Sequence, residues 1–362
     1  MQRAAVVQRD PAALTHNFYQ VRSRVDPMMS IWAVIKAEAY GHGLLWAARH
    51  LQNTADGLAV SCVEEALVLR EAGIRSRVLV LQGPRTAQDW RLCHIFGLEP
   101  VLHIAEQIMI ADSLKAPLPR AWVKLNTGMN RLGFVPHEAA TLHARLVPAL
   151  AREIHWLTHL ACADTPDAPE NAAQVQAFQS ALEGVPGESS LANSAAILSG
   201  LAQAVGLDSC WLRPGIMLYG PSPLLGEEGP ERNLRAVMTV KAPIISMHDV
   251  LPGAAVGYGG TWTPAAQARV ATVAMGYADG YPRHAPSGTP VLLHGQICPL
   301  VGRVSMDMLA VDVTACPQAQ VGDWVTLWGA GLPVERVARA AGTIGYELLT
   351  RVAGRLRLLP EA

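Results

Sequence analysis

The chain has 362 residues, with Lys+Arg 29 against Asp+Glu 30, so no global basic field draws it to nucleic acid or to an anionic membrane surface. That length is about twice a common domain, which predicts one large domain and a smaller one around a small-molecule site. Cys62, Cys93, Cys162, Cys210, Cys298 and Cys316 form no C-x-x-C pair and no metal-ligand spacing, which reads as reduced thiols in a cytoplasmic protein without a metal centre.

At the N-terminus, "MQRAAVVQRDPAALTHNF" sets Arg9, Asp10 and Pro11 where a signal peptide needs its apolar segment, and no later run reaches ~18 uncharged apolar residues. No membrane span is expected. From there to about residue 220, short apolar runs alternate with longer Ala- and Leu-rich segments of helical period, the pattern of βα units around a parallel sheet. The runs fall at 31–35 (IWAVI), 57–61 (GLAVS), 78–82 (VLVLQ), 98–103 (LEPVLH), 121–126 (AWVKLN), 154–161 (IHWLTHLA), 190–194 (SLANS) and 211–220 (WLRPGIMLYG). Eight such strands predict a closed (β/α)8 barrel.

The Gly-, Pro- and charge-rich stretch 220–232 (GPSPLLGEEGPER) reads as the linker. Beyond it the texture changes to short strand-like runs punctuated by Gly and Pro: VMTVKAPIISM, RVATVAM, TPVLLHG, QICPLVG, MLAVDV and DWVTLWG, with one helical stretch near PVERVARAAG. The expected organisation is α/β: a barrel over residues 1–232, then a mainly β domain over 233–362.

A parallel barrel builds its active site at the C-terminal ends of its strands, which tests the polar residues. Lys36 follows the first run, "NTGMNRLG" (126–133) the fifth, His159 lies near the end of the sixth, Asn193 and Ser194 close the seventh, and Arg213 with "PGI" (214–216) sits in the last. An amine at that rim can simply snorkel to water, or, partly desolvated, form a Schiff base with a carbonyl group. "RPG" alone reads equally as a turn, with Pro214 fixing φ and Gly215 relaxing it.

Several separate motifs, in order, bear on the choice: AVIKAEAYGHG (33–43), KLNTGMNRLGF (124–134), LANSA (191–195), LRPGIMLYG (212–220), VGYGGTW (256–262), GYADGYPR (276–283), VGRVSMD (301–307) and IGYELLTR (344–351). Over nearly its whole length the sequence resembles the alanine racemase family of pyridoxal 5'-phosphate (PLP) enzymes. The resemblance implies interconversion of L- and D-alanine, for peptidoglycan or alanine catabolism, with Lys36 holding PLP through a Schiff base and acting as one of two catalytic bases. It implies Tyr258 as the second base, delivered from the partner subunit of a homodimer. Gly257, Gly259 and Gly260 would let that tyrosine approach closely.

For the cofactor, backbone N–H groups of Gly215 and Ile216 and hydroxyls of Ser194, Tyr40 and Tyr346 suit a phosphate, with Asn193 beside them, while His159 reads equally as a hydrogen-bonding or packing partner of Arg213 and as a buried structural histidine. Arg213 would face the pyridine nitrogen. A guanidinium stays protonated there, leaves the ring a weaker electron sink and so limits transamination. Arg131 and the backbone of Met306 would hold the substrate carboxylate, and Lys124, which is carbamylated in many members, would orient Arg131. Tyr277 and Asp307 would support the site. Glu38 stands where Asn is usual in the first motif, and Ser305 where Cys is frequent. Two other readings share parts of this pattern. PLP-dependent decarboxylases of similar fold pair the ring nitrogen with a carboxylate instead of Arg213. Non-catalytic PLP-binding barrel proteins lack the β domain and the Tyr258 equivalent.

Overall fold

The computed structural model of the chain describes residues 4–114, 116–147, 149–204, 210–352, 354 and 356–359. After β1 (Val6–Arg9), eight strands follow: β2 (Ser30–Val34), β3 (Gly57–Val60), β4 (Val78–Val80), β5 (Glu99–Leu102), β6 (Leu118–Lys124), β7 (Ala151–Leu157), β8 (Ser189–Ser190) and β9 (Trp211–Leu212). They pair in parallel in the order β8-β7-β6-β5-β4-β3-β2-β9. Parallel bridges Ser189–Cys210 and Asn193–Arg213 join the two ends, which makes the barrel nearly closed. Its strands are largely buried on both faces, as a sheet wrapped by helices requires: all four residues of β3 and of β5 are buried, Glu99 of β5 among them.

The last two barrel strands are shorter than their apolar runs suggest. Asn193 leaves the strand to cap the helix Ser194–Leu198, its Oδ1 accepting from Ala196 N at 3.0 Å. Pro214 has no N–H for a ladder, and Ile216–Tyr219 turns into a 3-10 helix.

An aromatic floor plugs the N-terminal end of the barrel. Trp32 stacks on Trp211 at 4.3 Å, Trp122 meets both edge-on, and the Arg77 guanidinium lies 4.4 Å over the Trp211 ring. Glu99 takes that charge, accepting from Arg77 Nε at 2.6 Å and from Trp122 Nε1 at 3.0 Å. With the floor sealed, only the opposite rim is left for a ligand.

The remaining strands are β10 (Met238–Val250), β11 (Ala268–Val273), β12 (Pro290–Leu293), β13 (Gln296–Val301), β14 (Leu309–Asp312), β15 (Trp324–Trp328) and β16 (Arg357–Leu358). They run β11-β14-β13-β12-β15-β10, and β10 also pairs with β11, so six strands close on themselves. The thirteen-residue β10 manages this by pairing with β15 over its first part and with β11 from Ile244 on, with a register shift between Ile244 and Ser246. The helical stretch expected near 333–342 is the helix Val334–Ala340, and a second helix, Gly345–Thr350, follows it.

One strand departs from the expected division at residue 232. β1 adds to the second sheet, antiparallel to β10 with Val6 opposite Lys241, and β16 then pairs with β1. Four residues alone carry too little pattern to show which sheet they join, and their partner lies far along the chain.

Candidate active site

The C-terminal rim of the barrel opens into a cavity of about 800 Å3. Lys36, Tyr40, Lys124, Arg131, His159, Asn193, Ser194, Arg213, Gly215, Ile216 and Tyr346 all line it, so ten residues drawn from five separate motifs, and His159 besides, converge on one space.

Lys36 emerges directly after β2, at the head of a turn in which Ala37, Glu38, Ala39 and Tyr40 all lie in the left-handed region, with φ of 52° to 54°. For residues with a Cβ this conformation costs roughly 1–2 kcal/mol each. Glu65 grips the head of the turn, accepting from Ala37 N at 2.8 Å and from Ser61 N at 2.6 Å. The carboxylate of Glu38 accepts from Leu44 N at 3.0 Å, at the start of the helix Leu44–Leu51, and does not line the cavity. Its divergence from the usual Asn therefore leaves the cavity lining unchanged.

Cations dominate the inner end. The Lys36 ammonium is held below its usual range by burial and by the neighbouring charges of Arg131 and Arg213, which favours the neutral, nucleophilic amine. Lys124, at the end of β6, is lowered to about 8 by burial and by Arg213, Arg131 and Lys36. Arg131 reaches the cavity on a tight turn in which Asn126 Oδ1 accepts from Asn130 N at 2.9 Å.

Arg213 is buried among neutral acceptors. Its Nη2 donates to Thr158 O at 2.6 Å and to Leu191 O at 3.2 Å and lies 3.3 Å from His159 Nδ1, while Nη1 donates to Ser190 Oγ. Burial lowers its pKa to about 10, so it remains a cation at neutral pH. The same burial, with Arg213 adjacent, pushes His159 well below its ordinary value. A neutral His159 can accept from Arg213, and no carboxylate shares that hydrogen-bond set.

The expected phosphate donors are partly engaged with one another. Ser194 Oγ accepts from Gly215 N at 2.8 Å and from Met217 N at 3.4 Å, so in the present geometry the serine takes the N–H of Gly215 and keeps its own O–H for a ligand. Tyr40 and Tyr346 face each other with ring centroids 6.1 Å apart, and burial keeps both phenols protonated as donors.

Tyr258, Met306, Tyr277 and Asp307 are elsewhere: none lines the cavity. Tyr258 is 69% exposed on a 3-10 turn between β10 and β11, and Met306 is 54% exposed. They share one face of the β domain, where Gly259 lies against the Arg303 guanidinium and Tyr277 N donates to Ser305 O at 3.1 Å. Three residues near the cavity have no role that the sequence pattern assigns. Tyr219 and His42 form a ring stack behind Tyr40, and Glu65 anchors the Lys36 turn. The "YGHG" and "LYG" stretches are the local signals for the first two.

A lysine-bearing barrel rim joined to a closed β domain defines a class of two-domain proteins, and comparison with known proteins agrees. Residues 10–223 match the family model described as alanine racemase, N-terminal domain, and residues 237–359 that of alanine racemase, C-terminal domain. An alanine racemase of Thioalkalivibrio sulfidiphilus is 52% identical over 364 residues, covering 99% of each chain. The crystal structure of biosynthetic alanine racemase from Pseudomonas aeruginosa superposes with a TM-score of 0.93 at 44% identity, covering 99% of each chain. That of alanine racemase from Bartonella henselae with covalently bound pyridoxal phosphate gives 0.87 at 30% identity, over 98% of this chain and 99% of that one. The chain belongs to the alanine racemase family.

Proposed function

We propose that the protein is a PLP-dependent racemase that interconverts L- and D-alanine, works as a homodimer in the cytoplasm and supplies D-alanine for cell-wall synthesis. The observation that carries this reading is the gathering of Lys36, Lys124, Arg131 and Arg213 with the hydroxyls of Tyr40, Ser194 and Tyr346 in one rim cavity. A donor set of that kind suits a ligand with a phosphate, a phenolic oxygen and a carbonyl to meet the amine. D-alanine supply is favoured over catabolism by the Pseudomonas relatives named biosynthetic. Among the described residues no helix is long and apolar enough to cross a membrane.

In this reading Tyr40, Ser194, Tyr346 and the Ile216 N–H would hold the phosphate, joined by the Gly215 N–H once it turns from Ser194 Oγ to the ligand, with Asn193 shaping the loop, and Lys36 would hold the carbonyl carbon. When bound, PLP supplies the electron sink that lets the α-hydrogen of alanine leave as a proton. Arg213, kept cationic by its pKa of about 10 and oriented by Thr158, Leu191 and His159, would hydrogen-bond the ring nitrogen without surrendering a proton. Arg131, supported by Lys124, and the backbone of Met306 take the substrate carboxylate.

Racemisation takes a proton from one face of Cα and returns one to the other. The lowered Lys36 amine serves the D face, and Tyr258 serves the L face. Within one chain Tyr258 lies outside the Lys36 cavity, so the partner subunit would supply it, with Met306, Tyr277 and Asp307 on the same face. The working division is a part up to residue 232, apart from β1, that holds the cofactor together with Tyr346, and a part from 233 that presents the second base.

The deciding experiment gives purified protein each enantiomer of a panel of amino acids, follows optical rotation, and maps the cofactor by borohydride reduction and mass spectrometry. Racemisation of alanine with the adduct on the Lys36 peptide is expected. An adduct on another lysine would overturn the assignment.

A further inference from the structure

The left-handed turn Ala37–Tyr40 joins the amine of Lys36 to the hydroxyl of Tyr40, and it does not hold itself, because in this conformation each Cβ crowds the carbonyl that follows. Three side chains restrain it. Glu65 holds the head through Ala37 N, and Glu38 ties its middle forward to Leu44 N. At its tail, His42 Nδ1 lies 3.0 Å from Ala39 O and 3.0 Å from Tyr40 O. Both of those atoms are acceptors only, so Nδ1 carries the proton and shares it between them.

His42 is also the end of a ring stack that leads to the cavity wall. Its ring lies 4.6 Å from Tyr219, and Tyr219 lies 4.9 Å from Tyr40. The Tyr219 hydroxyl donates to Val34 O at 3.0 Å, on the strand that delivers Lys36. Arg9 Nη1 donates to His42 O at 3.0 Å, which fixes the backbone of the histidine from β1. Gly41, next in the chain, has φ of 83° and lies so close to Leu349 O that a Cβ would stand 2.1 Å from it; the helix that carries Tyr346 thus rests on this same turn. The other ring nitrogen, Nε2, is buried without a hydrogen-bond partner among the described residues. An imidazole that leaves one nitrogen unsatisfied while the other serves two carbonyls is placed for the carbonyls.

We propose that His42 is a positioning residue: with its proton on Nδ1 it pins the left-handed turn Ala37–Tyr40, and so aims the Lys36 amine and the Tyr40 hydroxyl into one cavity. It touches neither cofactor nor substrate. The inference rests on the reading that Lys36 and Tyr40 hold PLP, and the wild-type protein tests that reading separately.

The test uses holoenzyme of wild type, His42→Phe and His42→Asn. Phenylalanine keeps a ring against Tyr219 but offers no donor, whereas the asparagine amide can place an N–H near the position of Nδ1. The readouts are the rate of PLP loss to a trapping apoprotein, the absorbance of the Lys36-bound cofactor, and the melting temperature. His42→Phe is expected to lose PLP at least about tenfold faster with an altered absorbance, and His42→Asn to stay within about threefold of wild type. Cofactor retention in His42→Phe within threefold of wild type, or His42→Asn no better than His42→Phe, would overturn the proposal. Should His42→Phe fail to fold, nitrogen-15 NMR of the wild-type imidazoles decides, with the His42 signal identified by its loss in His42→Asn. A neutral ring protonated at Nδ1 is expected, and one protonated at Nε2 overturns it. Wild type that binds no PLP would instead remove the underlying functional reading.

Discussion

Gly215 approaches Tyr40 so closely that a Cβ on residue 215 would stand 2.3 Å from the tyrosine hydroxyl oxygen. The last barrel strand region and the turn after the first are therefore packed hydroxyl against backbone, on the wall of the cavity that also holds Lys36. In Gly215→Ala, Tyr40 must retreat, and overpacking of this kind costs about 1–3 kcal/mol. PLP affinity, read by absorbance titration, should fall about tenfold or more while the barrel keeps its circular dichroism. Unchanged affinity would separate Tyr40 from the phosphate.

Arg213 makes its hydrogen bonds to Thr158, Leu191, Ser190 and His159, with no carboxylate partner among the described residues. Arg213→Glu would set a carboxylate against those carbonyl oxygens and beside the ring nitrogen, where it can share a proton. Slower racemisation, pyruvate formed by transamination, a long-wavelength absorbing species and a lower melting temperature are expected. A variant with the turnover and spectrum of wild type would remove Arg213 from the cofactor.

Tyr258 is exposed and outside the cavity of its own chain, which makes subunit mixing informative. Lys36→Ala and Tyr258→Phe proteins are each expected to be inactive. After exchange at equal concentration about half the dimers are mixed, and each has one site with both groups intact. Activity should recover to about a quarter of wild type. No recovery, with exchange demonstrated by mass, would mean sites built within one chain.

The two proton carriers can be told apart by isotope. On the proposed roles, Tyr258→Phe would lose the base of the L face and keep Lys36, whose pKa is lowered, for the D face. It should fail to racemise in either direction, yet still exchange the α-hydrogen of D-alanine with deuterium from solvent, with little exchange from L-alanine. Equal exchange from both enantiomers would end the two-base description.

Burial, with Arg9 nearby, lowers His42 to about 4 from an ordinary value near 6.5, against the opposing hydrogen bonds to Tyr40 and Ala39. The folded state thus binds fewer protons at this ring than the unfolded state. Its contribution to stability is complete above about pH 6.5 and is lost as pH falls toward about 4, amounting to about 3 kcal/mol over that window. Denaturant unfolding at pH 7.5 and pH 4.5 should therefore show a larger loss for wild type than for His42→Asn, which cannot titrate. Equal losses would mean that the ring is protonated in the folded protein.

The alternation of apolar runs with helical segments determined the barrel, because a parallel strand covered on both faces is mainly apolar, and β2 to β7 each overlap one of those runs, β6 and β7 beginning three residues ahead of theirs. The cavity residues at the barrel rim, from Lys36 to Ile216, were legible for a related reason: strand ends share one rim, so residues that follow apolar runs converge even when far apart in the chain, whereas Tyr346, on the helix Gly345–Thr350, was expected only through the family resemblance. β1 was not legible. Four residues cannot specify a sheet, and only their register with Met238–Lys241 does. Nor could local sequence tell that Gly215 N is taken by Ser194, that Tyr219 and His42 stack behind Tyr40, or that Glu38 turns from the cavity to Leu44. The Gly215–Ser194 bond and the Tyr219–His42 stack join separate segments brought together by barrel closure, and partners chosen by such closure leave no period or spacing in the chain itself; the Glu38–Leu44 bond is local but depends on the left-handed turn Ala37–Tyr40.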